Sequence, residues 1–120
     1  GGMFPAPHGV ICARLLPHVM VANLLALESR APNSAALARY EEAARLLTGQ
    51  SEAVAADGVR YVQDLCEKLA VPPLSNWGFD AGSIPEVVAK SRDASSMKGN
   101  PIQLTDDELA TILTQELEAS

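Results

Sequence analysis

Between Pro7 and Leu27 the chain reads PHGVICARLLPHVMVANLLAL, and from Val10 onward nearly every position is Val, Ile, Leu, Ala, Met or Cys. A helix of that composition is apolar all round, so the pattern predicts a central helix covered on several sides by the rest of the chain. A membrane span is the competing reading of a run this long. Arg14, His18 and Asn23 would then lie in hydrocarbon, and the span is rejected on that ground. Pro17 lacks an amide donor and its ring crowds the preceding turn, which predicts a kink between Leu16 and His18 or a break into two helices.

The remaining pattern is that of surface helices. Asn33 is the predicted cap of a helix over Ser34 to Thr48. Leu37, Tyr40, Ala44 and Leu47 share one face of it, and Glu41 pairs with Arg45 on the other. Gly49 ends this helix in a left-handed conformation, and Ser51 caps the next, Glu52 to Ala70. There a stripe of Val54, Gly58, Tyr61, Leu65 and Leu69 is expected to face inward, with Gly58 where another helix crosses closely. Its polar residues, Glu52, Asp57, Arg60, Asp64, Glu67 and Lys68, read as a solvated face.

Val71-Pro72-Pro73 stops that helix, and Leu74 to Gly82 is a connection that Trp77 and Phe79 are expected to pin onto the bundle. Ser83 caps a short helix running to about Ser91, with Pro85 in its first turn, and the loop Asp93 to Pro101 follows. Thr105-Asp-Asp-Glu108 is a capping box, so the last helix starts at Asp106. Leu104 staples onto Leu109 across it, and Leu109, Ile112, Leu113 and Leu117 form one apolar stripe.

Composition agrees with an all-α bundle around a buried, Pro-kinked central helix, formed as one domain over residues 1–120. Hydrophobic residues make up 48% but aromatics only 4%, so the core is built from Leu, Ala and Val. The net charge of -6 and pI near 4.7, without a basic run, exclude a phosphate-binding surface and hence nucleic acid. Cys12 and Cys66 read as buried reduced thiols, which with the absence of a basic leader suggests a cytoplasmic protein.

Candidate chemistry concentrates at His8, in Pro-His-Gly at the head of the apolar run. From spacing alone such a histidine is more often a turn residue bonded to a nearby carbonyl than a metal ligand. His18 is not its chelating partner, because ten helical residues separate the two by roughly 15 Å. Cys12, four residues on, is better placed, but two ligands make no site. No P-loop, dinucleotide fingerprint or Ser/His/Asp arrangement is visible.

The segment GGMFPAPHGVICARLLPHVMVANLLAL resembles the start of the C-terminal helical domain of the iron-containing (group III) alcohol dehydrogenases, relatives of maleylacetate reductase and dehydroquinate synthase. SSMKGNPIQLTDDEL resembles that family's closing segment, in the right order and at a plausible separation. The resemblance implies a dehydroquinate synthase-like helical domain in which His8 is the last of the metal-binding histidines. Ser96 and Asn100 would lie on a loop bordering the substrate cleft. It also implies a divalent metal, Fe2+ or Zn2+, and NAD(P) in the intact enzyme, none of them held tightly by this chain. Ile102 departs from the family, many of whose members have arginine there.

The chain is then expected to be a fragment whose partner is the N-terminal half of the same polypeptide, inactive alone. It should also self-associate through an apolar patch beside His8 and the Ser95 to Asn100 loop. The reading from a different class is a self-sufficient helical interaction module without catalysis.

Overall fold

The computed structural model describes residues 7–92 and 99–119, and for His8 the backbone only. Among them are five helices and no strand: α1 (His8–Arg30), α2 (Ala35–Thr48), α3 (Ala55–Lys68), α4 (Ile84–Arg92) and α5 (Asp106–Glu118). Short 3-10 turns at Leu74–Trp77 and Ala81–Ser83 connect α3 to α4. The chain is an all-α domain.

Helix α1 is the element the others share, touching α2, α3, α5 and the Leu74–Trp77 turn. It runs without interruption through Pro17, so the two-helix alternative does not hold. Pro17 is buried, as are Asn23, Leu24, Ala26 and Leu27. The expectation that the helix is covered on several sides fails toward its start. Gly9 and Cys12 are exposed, Leu16 is 47% exposed and, further on, Leu25 is 62% exposed. The reason is geometric: four helices of 9 to 14 residues, packed mainly on one another, cannot sheathe one of 23. Cys12 is therefore not the buried thiol expected of it, and Cys66 is half-buried, its thiol directed at the Ala13 carbonyl at 3.5 Å.

On one side of α1 lies the main core, where Ala26, Leu74, Phe79, Val87, Val88, Leu104, Leu109, Ile112 and Leu113 pack together. Phe79 is 2% exposed and Trp77 packs against the same cluster, so these aromatics pin the connection down as expected. On the other side α2 and α3 form a thinner layer. A Cβ on Gly58 would lie 2.9 Å from the Ala44 Cβ, so the missing side chain is what lets the two helices approach.

Local signals set most helix ends, with three shifts. Ser34, not Asn33, caps α2, its Oγ accepting from the Ala36 amide at 3.2 Å. Helix α3 begins at Ala55 because Asp57 reaches back to the Val54 amide at 2.9 Å; Ser51 stays in the preceding turn. At α4, Asp80 accepts from the Ser83 amide, so the turn Ala81–Ser83 leads into the helix. Gly49 ends α2 at φ 70°, and the Thr105–Glu108 box opens α5 with bonds of 3.1 and 2.8 Å, both as predicted.

The inward stripe predicted for α3 is only partly correct. Gly58 and Val59 are buried, but Tyr61 (41%), Leu65 (44%), Val54 (52%) and Leu69 (67%) are exposed. The helix is rotated so that Val59, Val62 and Cys66 turn toward the fold instead.

Candidate functional site

His8 is the first residue of α1, and the Pro7 carbonyl closes the first turn by accepting from the Val10 and Ile11 amides, both at 3.1 Å. Pro7 holds an extended conformation (φ -59°, ψ 141°) and supplies no side-chain cap. Proline's fixed φ thus sets the angle at which the chain enters the helix. The His8 side chain, like Ser95 and Ser96, lies outside what the structure describes. Among the described residues no group of three or more His, Cys, Asp or Glu is placed to hold a metal.

Two turns along, α1 carries a buried ionic cluster that sequence reasoning missed. Arg14 Nε donates to both Glu116 carboxylate oxygens at 3.0 Å, and its Nη2 lies 3.0 Å from Oε1. The Arg14 Nη1 donates to the Val71 carbonyl at 3.2 Å, while Glu116 Oε2 accepts from the Leu74 amide at 3.0 Å. His18 Nε2 is 3.6 Å from Glu116 Oε1. The Glu116 side chain is fully buried. Burial pushes its pKa up, but hydrogen bonds from His18, Arg14 and the Leu74 amide, with the Arg14 charge, outweigh it and hold the pKa below the ordinary value.

A signal for Glu116 was present in the sequence. It stands seven residues after Leu109, four after Ile112 and three after Leu113, inside the apolar stripe of α5. Arg14 is the one arginine or lysine on the central helix before Arg30, and so the natural partner for a carboxylate buried there.

A third constellation fastens the other end of α1. Asn23 Nδ2 donates to Asn100 Oδ1 (2.9 Å) and to the Tyr40 hydroxyl (3.1 Å). Asn100 Nδ2 in turn donates to Asn23 Oδ1 (2.7 Å) and the Ile102 carbonyl (2.6 Å). Asn23 is 3% exposed, and the reciprocal amide pair satisfies it without a charge. Asn100 thereby anchors the end of its loop to α1, whose Asn23 also meets Tyr40 of α2. Its attachment point is fifteen residues along the helix from His8, about 22 Å at the usual rise. Both belong to α1's surroundings, but the fold does not bring them together.

A cleft of about 260 Å³ lies between α1, α3 and the end of α5, lined by Ala13, Arg14, Pro17, His18, Gln63 and Cys66 among others. Its cation is already committed to Glu116 and the Val71 carbonyl, which leaves it poorly equipped to bind an anion.

Comparison with curated proteins and comparison with solved structures each returned no match. Comparison with protein families matched residues 1–117 to the family described as Fe-containing alcohol dehydrogenase, C-terminal. The match takes in both segments, Gly1 to Leu27 and Ser95 to Leu109, that carry the resemblance. The chain therefore belongs to the iron-containing alcohol dehydrogenase family, as a C-terminal helical domain.

Proposed function

We propose that this chain is the metal- and substrate-side domain of an enzyme that transfers hydride between an alcohol or aldehyde and NAD(P). The observation that carries the reading is the family match over residues 1–117, which includes Pro-His-Gly at the head of α1. In this reading His8 is one metal ligand and Ser96 lies toward the substrate, while Asn100, bonded to Asn23 and the Ile102 carbonyl, holds the end of that loop in place. A divalent iron or zinc ion would act as a Lewis acid on the alcohol or carbonyl oxygen. One imidazole does not fit such an ion by itself, since three or four protein ligands are usual, and no described group supplies the others. The remaining ligands and the nucleotide site would come from the N-terminal half of the polypeptide.

What this chain contributes is a braced support. Arg14, six residues past His8, is clamped by Glu116, and Asn23 is clamped by Asn100 and Tyr40. Gly9–Arg30 is long and apolar enough to cross a membrane, with mean hydropathy 1.8. We read it instead as a core helix of a cytoplasmic protein, because Arg14 and Asn23 are met by protein groups from other elements.

The test is to join the chain to its upstream coding sequence and assay NAD(P)-dependent alcohol oxidation with Fe(II) or Zn(II). Turnover that His8→Ala abolishes, with metal content falling in parallel, supports the reading. Turnover and metal content unchanged by His8→Ala overturn it. The chain alone is expected to show neither turnover nor a stoichiometric metal site in calorimetric titration.

A further inference from the structure

Pro17 leaves a rung missing from α1. Having no amide proton, it gives nothing to the Ala13 carbonyl four residues back. Groups from other elements gather at that rung. The Cys66 thiol of α3 donates to the Ala13 carbonyl at 3.5 Å, a weak bond. The Glu116 carboxylate of α5 does more, because it meets side chains on both sides of the proline. Arg14, three residues before Pro17, brings Nε and Nη2 to 3.0 Å, and His18, one residue after it, brings Nε2 to 3.6 Å. The carboxylate is itself fixed, since it is fully buried and its Oε2 accepts from the Leu74 amide at 3.0 Å.

The part of α1 before Pro17 is held on one side only. Val10, Ile11 and Leu15 pack against the main core, whereas Gly9, Cys12 and Leu16 are exposed. Apolar contact of that kind holds a segment down without fixing its direction, because the hydrophobic effect is not directional. We propose that α1 is hinged at Pro17 and that Glu116 is the splint across the hinge, setting the direction of residues 8–16 and so where the backbone of His8 stands. The lever is long. His8 lies nine residues before Pro17, about 13 Å along the helix, so a tilt of about 10° at the proline moves it by about 2 Å.

Amide hydrogen exchange, read residue by residue on the full chain, tests this. It needs no metal, so its outcome is separate from that of the metal-ligand reading. Glu116→Gln should speed exchange at residues 12–16 about tenfold relative to residues 19–27, since a neutral amide does not hold donors on both sides of the proline as a carboxylate does. His18→Ala leaves the Arg14 pair in place and should produce the same difference at about threefold. His18 is only partly buried, so this variant reads the hinge even where Glu116→Gln is too unstable to study. Pro17→Ala gives the Ala13 carbonyl an amide again, and in that background neither substitution should separate the two halves of α1. A general loss of stability speeds both halves alike, with or without the proline. Three results overturn the proposal: exchange that rises equally in both halves, His18→Ala exchange the same as that of the unaltered chain, or a difference between the halves that persists after Pro17→Ala.

Discussion

Arg14 and Glu116 stand 102 residues apart in the chain, yet the guanidinium spans both carboxylate oxygens at 3.0 Å in the interior. The pair joins the first helix to the last, and its remaining bonds go to the Val71 carbonyl and the Leu74 amide. It thus closes the fold around the connection between α3 and α4. A buried ion pair contributes little net stability against a well-packed apolar pair, but breaking one partner strands the other's charge.

Arg14→Met should therefore cost about 3 to 5 kcal/mol, since Glu116 keeps its charge with its main donor gone. Replacing both, Arg14→Met with Glu116→Leu, should recover most of that loss. Urea denaturation of the two single variants and the double variant measures the coupling. Additive costs would show that the two side chains do not act as a unit.

Acid should weaken the fold through the same carboxylate. The Glu116 pKa is lowered on folding, so below the unfolded value of about 4.3 the unfolded chain binds more protons, and stability falls as pH drops through the folded pKa. Glu108, lowered chiefly by its bond to Arg30, acts in the same direction. Glu116→Gln should lower stability at neutral pH and flatten the decline below pH ~4.3. Thermal melts of both proteins across that range check it; an unchanged slope excludes Glu116 as the source.

Gly58→Ala should destabilise, although alanine is favoured over glycine in a helix by about 1 kcal/mol. The new methyl would meet Ala44 at 2.9 Å from its Cβ and 3.0 Å from its Cα, and the Cα cannot turn aside. A net loss of about 1 to 2 kcal/mol is expected, seen as a lower melting temperature. A rise would mean that α2 and α3 separate freely.

Ala70→Gly should do the opposite. Ala70 follows the last turn of α3 at φ 52°, the left-handed conformation that glycine takes without strain. A gain of about 0.5 to 1 kcal/mol is expected, measured by the same melts. Gly49, which holds φ 70° after α2, is the internal comparison, and Gly49→Ala should lose a similar amount.

What the sequence determined by itself is what short-range chemistry controls. The Thr105–Glu108 box, the left-handed Gly49 and the Glu41–Arg45 pair at 3.7 Å all depend on groups within a few residues of each other. The apolar run identified α1 for the same reason, and the two motif segments identified the family. Only the tertiary structure decided which part of an apolar surface is used. In α3 the apolar arc runs from Tyr61 round to Val59, and sequence period cannot choose within an arc that wide. The close approach of Gly58 to Ala44 does, turning Tyr61 and Leu65 outward. Glu116 and Asn100 show the same limit: each is buried or half-buried because a partner from α1 arrives with complementary bonds. The apolar stripe around Glu116 signals that the carboxylate is buried, but the meeting itself is set by packing, since 102 and 77 residues of chain intervene.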